Sequence, residues 1–296
     1  MKLERFGDAW RVRFAALGGP CEILIDGGEY DQALAAGEAA ASVAWRIERK
    51  FSRYRDDSVV SAINRAAGTD TEVDGETARL LDFAATIHGL SDGRFDITSG
   101  ALRRVWTFDG KSRVPSQAEI DAVLPLVGWH RVRWRSPLLT LAPQMEIDFG
   151  GIGKEYAVDQ ALDAARKCAS AAVLVNFGGD LAVTDPRRAG RPWRVGIEAA
   201  RGRALGAATL TDLSRGALAT SGGTHRYIEV DGKRLSHILD PITGRPVADA
   251  PATVTVAAPT CSQAGMLTTL AMLRGAQAED FLRDEAVPHW IQRSFR

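Results

Sequence analysis

His237 stands three residues before Asp240-Pro241, at the close of a tract from Thr220 to Pro246 where reactive side chains and turn-forming residues crowd together. Imidazole titrates near neutral pH, so a histidine held by fixed backbone can take or give a proton in a reaction run near pH 7. The same residue also suits a plainer role, closing a sheet edge. Upstream, Lys154 follows a glycine-rich turn, Asp148-Phe149-Gly150-Gly151-Ile152-Gly153, that opens a helix. Backbone N–H groups at a helix start bind anions, and a lysine there adds charge. The turn is not a Walker A loop, since Asp148 stands where that pattern needs glycine and Glu155 where it needs Ser or Thr. A structural turn and an anion site are both readings of it. A second glycine turn, Asn176-Phe177-Gly178-Gly179-Asp180, sets a carboxylate beside backbone that can approach a ligand closely.

These groups need rigid elements to hold them. RYIEV, Asp231-Gly232 and KRLSHI read as strand, tight turn and strand, which puts His237 at the end of a hairpin. Residues 11 to 26 read as one strand ending at Gly27-Gly28. A helix over about 31 to 51 carries Ala39, Val43, Ile47 and Phe51 on one stripe. A second, over about 74 to 88, carries Leu80, Leu81, Ala84 and Ile87, with Gly89 as its stop. Ser116 and Glu119 have capping-box spacing before Ile120 and Val123. Strands are expected near 131 to 135 and 138 to 142. MEIDF reads as a strand end and the residues after Lys154 as a helix burying Val158, Ala161, Leu162 and Ala165. A buried strand over 171 to 176, half-buried strands at WRVGIE and ATVTVA, and a helix from Ser262 to Arg274 complete the chain. Strands and helices interleave without a strict βαβ rhythm. That favours an α+β fold, a single domain over residues 1–296.

Composition narrows the partners. The 296 residues are 45% hydrophobic and 25% charged, an ordinary globular balance. Thirty-seven basic residues cancel thirty-seven acidic ones, leaving no electrostatic footprint for nucleic acid. No run reaches the ~18 apolar residues of a membrane span, and charge punctuates the N-terminal stretch, so the expected compartment is cytoplasmic. Cys21, Cys168 and Cys261 are odd in number and far apart, which suggests neither a disulfide framework nor a zinc site.

Taken in order, Ser52-Arg53-Tyr54 with Ser58 and Asn64, Phe95-Asp96-x-Thr98, the GGIGKEYAVD tract, Asn176-x-Gly178-Gly179-Asp180, Thr220-Ser221-Gly222 and HILDPITG resemble the motifs of the ApbE family of flavin transferases. The likeness spans about residues 10 to 285. It implies an ApbE-like, T-fold-related α+β domain with a mixed, largely antiparallel sheet and packed helices. The implied activity moves FMN from FAD onto a Thr or Ser hydroxyl of an acceptor protein, releasing AMP, with Mg²⁺. The alternatives are an FAD pyrophosphatase, in which water replaces the acceptor, and an FAD-binding protein that has lost transfer. Residue by residue, the resemblance implies that Tyr54, Asp96, Thr98, Lys154, Asp159, Asn176, Gly179, Asp180, Thr220, Ser221, Gly222 and His237 line the FAD site. His237 and Asp240 stand at the catalytic positions.

Three departures qualify the match. Family members usually carry Asp four residues before Thr in the last helix, as metal ligands. Gly265 stands in place of that Asp here, while Thr269 is present. Glu155 occupies a position that is usually glycine, and Gly153 is where the family's metal takes a backbone carbonyl. The expected metal set is therefore Gly153, Thr269 and Glu155, with Glu155 partly replacing the lost carboxylate. Gly223-Thr224 stand where an acidic residue and an aromatic commonly follow Thr-Ser-Gly.

Overall fold

The computed structural model describes residues 1–197, 209–223, 226–230 and 233–293. Strands β1 (Lys2–Phe6), β2 (Ala9–Ala16) and β3 (Gly19–Ile25) lead into helix α1 (Tyr30–Phe51). Next come α2 (Val59–Arg65), β4 (Asp70–Glu72), α3 (Gly75–Leu90), a 3₁₀ segment Ile97–Arg104, α4 (Gln117–Val123), β5 (Arg133–Arg135) and β6 (Leu138–Thr140). Helix α5 (Gly153–Arg166) precedes β7 (Val173–Phe177), β8 (Asp180–Val183), β9 (Trp193–Ile197), β10 (Thr209–Leu213) and β11 (Gly216–Gly222). The chain continues through β12 (Tyr227–Val230), β13 (Lys233–Ser236), β14 (Thr253–Ala258), α6 (Cys261–Leu273), α7 (Ala278–Asp284) and β15 (His289–Gln292).

Eight strands form one sheet in the order β1-β2-β3-β7-β8-β11-β14-β15, and every neighbouring pair in it is antiparallel. Alternation along the strands divides their side chains between two layers. Val12, Ile23, Val175, Phe177, Ala217 and Ala219 belong to the core shared with α1, α5 and α6. Leu174, Leu181, Val183 and Leu218 pack instead with Trp193, Val195 and Leu213 of the β9–β10 ribbon. Helix α1 approaches the sheet closely because its buried residues before Ile47 and Phe51 are small: Ala33, Ala36, Gly37, Ala40, Ala41 and Ala44. A Cβ at Gly37 would come within 2.5 Å of Val12 Cγ2, so glycine sets that spacing. The expected stripe through Ala39 and Val43 lies one position off, since both are only half-buried.

Helix starts follow side-chain caps. Asp74 accepts from Glu76 N and Thr77 N, Ser58 from Ser61 N, and Ser116 with Glu119 completes the capping box. Each such cap stabilises its helix by about 1 kcal/mol. Helix α3 runs through Gly89 to end at Leu90.

Three expectations are corrected. Residues 11 to 26 are not one strand but a hairpin, β2 and β3, turning through Leu17 (φ 56°) and Gly18 (φ 76°). MEIDF forms no strand, because Asn64 bonds both polar groups of the Ile147 backbone and Asp148 N donates to Ile97 O. ATVTVA is a buried interior strand, flanked by β11 and β15, rather than a half-buried one. Thr224, the Asp231-Gly232 turn and Glu198 lie outside the described residues. Among the described residues no helix is long and apolar enough to cross a membrane.

Candidate active site

Two groups of polar side chains meet around the start of α5. The first is built on β8, β11, α5 and α6. Asp180, 1% exposed, forms an ion pair with Lys154, whose Nζ lies 2.6 Å from Oδ2, and accepts the N–H of Thr220 on Oδ1 at 2.9 Å. Burial alone would depress the Lys154 ammonium, but Asp180 and Glu155 outweigh it, and the lysine is held above its ordinary range. Thr220 Oγ1 lies 2.8 Å from Thr255 Oγ1 of the neighbouring strand. On the helix side, Ser221 Oγ lies 2.9 Å from Thr268 Oγ1, which donates to Gly265 O at 2.9 Å.

Glu155 completes this group. Its side chain is buried, and Oε2 has no hydrogen-bond partner. Burial, reinforced by the adjacent Asp180 carboxylate and opposed by Lys154, pushes its carboxyl up to about 8. The loop Asn176–Asp180 that delivers Asp180 is pinned by Asn176 Oδ1, which accepts from Gly179 N at 2.9 Å. Gly178 (φ 63°) and Gly179 (φ 100°) both need glycine's conformational freedom, and a Cβ on either would meet open space. The surface over this loop is therefore bare backbone.

The second group surrounds His237. Its backbone N–H donates to Arg226 O at 3.2 Å, extending the β12–β13 ladder, and its Nδ1 lies 3.2 Å from the same carbonyl. A carbonyl only accepts, so Nδ1 carries the hydrogen and Nε2 keeps its lone pair. Burial, with help from the Arg226 and Arg53 charges, lowers the imidazole to about 4. Phe108 meets the ring edge-on, centroids 6.4 Å apart. Arg53 is bound to Asp148 and donates to Tyr54 Oη at 2.7 Å, with its guanidinium 4.8 Å from the centre of the tyrosine ring. Asp148 also accepts from Gly150 N at 2.9 Å, so Arg53 is tied to the glycine turn that opens α5. Tyr54 is 76% exposed.

The remaining sequence candidates hold the frame. Asp96 accepts from Thr98 N (2.8 Å), Thr98 Oγ1 (2.6 Å) and Trp129 N (2.7 Å), and Thr98 Oγ1 accepts from Gly128 N at 2.7 Å. Both are enclosed, so they brace the loop at 95 to 98 rather than presenting groups to a ligand. Asp159 spends its two oxygens on Cys261 N, Ser262 N and Ser262 Oγ, fastening α5 to the first turn of α6. Asp240 closes its own turn by accepting from Ile242 N at 2.8 Å. Gly222 is required by the sheet, since a Cβ there would stand 2.7 Å from Ala252 O. Gly153 begins α5, its N–H donating to Phe149 O at 2.7 Å. Thr269 is half-buried, and the hydroxyl that meets Ser221 belongs to Thr268. Sequence reading passed over Thr268, and also Arg53, whose only signal was its place between Ser52 and Tyr54.

Among the described residues no three His, Cys, Asp or Glu side chains converge, so any cation held here would need hydroxyl and carbonyl oxygens beside carboxylate. Hard oxygens of this kind suit Mg²⁺ or Ca²⁺ rather than softer metals.

A model of the ApbE family matches residues 10–289. The chain is 32% identical over 248 residues to the FAD:protein FMN transferase of Salmonella typhimurium, covering 80% of this chain and 71% of that one. To the FAD:protein FMN transferase of Escherichia coli K12 it is 30% identical over 250 residues, covering 81% and 71%. The crystal structure of the ApbE protein of Thermotoga maritima superposes with a TM-score of 0.86 at 32% identity, over 96% of this chain and 94% of that one. The apo flavinyl transferase ApbE of Pseudomonas stutzeri gives 0.82 at 27% identity, over 98% and 90%.

Proposed function

This chain belongs to the ApbE family, and on that footing we propose that it transfers the FMN moiety of FAD to a Thr or Ser hydroxyl of an acceptor protein, releasing AMP. The observation that carries the mechanism is the placement of His237, whose Nδ1 is committed to Arg226 O, which leaves Nε2 as the ring nitrogen that can take a proton. The acceptor hydroxyl attacks the phosphorus on the FMN side of the pyrophosphate. Its proton passes to Nε2, the bond to the bridging oxygen breaks, and AMP leaves with that oxygen. Such a displacement leaves the protein mainly with positioning and charge neutralisation. Lys154, steadied by Asp180, keeps further N–H donors for phosphate oxygens. Bare backbone at Gly178-Gly179 allows close approach, and Tyr54, with Arg53 bound beside it, offers an exposed ring to the isoalloxazine.

A Mg²⁺ ion, when bound, would neutralise charge developing on the phosphates. Glu155, the threonine hydroxyls of α6 and main-chain oxygen at Gly153 or Gly265 are the groups that would hold it.

The test supplies FAD, Mg²⁺ and a protein bearing a candidate Thr or Ser, then follows AMP and covalent flavin. AMP with labelled acceptor supports transfer. AMP with free FMN makes the protein a pyrophosphatase, and neither product makes it a flavin-binding protein.

A further inference from the structure

We propose that α5 supplies the cation-binding carboxylate of this site through Glu155, and that Gly265 of α6 is the notch that admits it, so that only one of the two positions can carry a side chain. This rests on the transferase reading for the site's purpose but not for its geometry.

The steric argument comes first. A Cβ built on Gly265 would stand 3.0 Å from Glu155 Cδ, 3.2 Å from Oε1 and closer still to Cγ. Carbon atoms in contact settle near 3.5–4.0 Å, so about half an ångström or more of overlap would have to be relieved. Gly265 lies inside α6, where glycine costs about 1 kcal/mol relative to alanine. Its φ is not positive, so backbone conformation does not require glycine there. The neighbouring carboxylate side chain does.

The chemical argument is separate. More than nine-tenths of Glu155 is buried, and Oε2 lacks any donor. A position needing only volume would be filled better by methionine or leucine, since a buried unpartnered acceptor costs about 1–3 kcal/mol. The oxygens gathered at Gly265, namely its own carbonyl, Thr268 Oγ1 and through it Ser221 Oγ, are hard donors without charge. Lys154 already balances Asp180. Glu155, which has no ion pair as close as that of Asp180 with Lys154, is then the carboxylate we assign to a divalent cation.

The geometry also says how to move the ligand. A side chain grown from Gly265 heads into the space Glu155 fills, so aspartate at 265 would bring its carboxylate there once Glu155 is cut back to glycine. Mn²⁺ binding, followed by the loss of its free aqueous spectrum in electron paramagnetic resonance with and without FAD, is the measurement. Glu155→Gln, which keeps shape and removes charge, is expected to weaken Mn²⁺ by at least about tenfold. Gly265→Asp alone is expected to melt earlier than the parent without binding Mn²⁺ more tightly. Glu155→Gly with Gly265→Asp is expected to regain both melting temperature and Mn²⁺ affinity relative to either single change. Parental Mn²⁺ affinity in Glu155→Gln, no Mn²⁺ binding by the parent, or a double variant no better than the worse single would each overturn the proposal. Because binding is read without turnover, a protein that exchanges its ligand as described but labels no acceptor refutes the transferase reading alone.

Discussion

Replacing Lys154 by methionine removes the cation from a buried carboxylate while keeping the length of the stem. Asp180 is 1% exposed and has one other donor, the Thr220 N–H at 2.9 Å. Beside it stands a second buried carboxyl, Glu155, pushed up to about 8 in part by Asp180, so the variant leaves the Asp180 charge buried with no cation next to it. Breaking one side of a buried ion pair costs about 3–5 kcal/mol. The Lys154 side chain is 33% exposed and so already partly screened, which brings the expected loss to about 2–3 kcal/mol. For a chain of this length, with an unfolding entropy of roughly 2 cal/mol/K per residue, that lowers Tm by about 3–5 °C. Asp180→Asn in the same background removes the orphaned charge but keeps an acceptor for Thr220 N–H. The double variant should recover most of the loss, with a coupling of about 2 kcal/mol. Urea or thermal unfolding of the four proteins in EDTA decides it. A Lys154→Met protein within about 1 °C of the parent, or losses that simply add, would refute the reasoning.

Three further outcomes follow from the same geometry. The unfolded histidine titrates near 6.5 while His237 in the fold takes a proton only near 4, so the unfolded chain binds more protons across that interval. The His237 contribution to stability therefore rises with pH from about 4 to about 6.5 and is lost as pH falls back through it, a slope that His237→Gln removes from a pH series of urea midpoints. Asp159→Ala breaks three hydrogen bonds to the first turn of α6 and should destabilise the fold by about 1–2 kcal/mol, with FAD affinity, measured by flavin fluorescence, less affected than by Lys154→Met. Tyr54→Ala, at a 76% exposed position, should leave Tm within about 1 °C of the parent and weaken FAD binding in the same fluorescence titration.

Much of this was legible in the chain because local chemistry and tertiary structure agree. The capping box at Ser116 and Glu119, the buried face of α3 and the strands flanking Asp231-Gly232 were each read from neighbouring residues. The β2–β3 turn was hidden because Leu17, rather than Asn or Asp, takes the first left-handed position. MEIDF reads as strand by pattern, yet its polar backbone is satisfied by Asn64 and Ile97, more than forty residues earlier.

The site divides in the same way. Motif order indicated Lys154, Asp180, Ser221 and His237, but the conformations of Asp96, Thr98, Asp159 and Asp240 depend on partners that types and spacing do not reveal. Thr268 and Gly265 acquire meaning only when α6 lies on β11 and α5, bringing Ser221 and Glu155 against them.

The central claim is that His237 takes the proton of an acceptor hydroxyl as FMN moves to it. Intact-mass analysis of an acceptor protein incubated with FAD, Mg²⁺ and either the parent or His237→Gln tests it most directly. The account predicts one FMN residue added to a Thr or Ser by the parent, at a rate His237→Gln lowers by about 10²-fold or more while FAD binding persists. Equal labelling rates for the two proteins would contradict it.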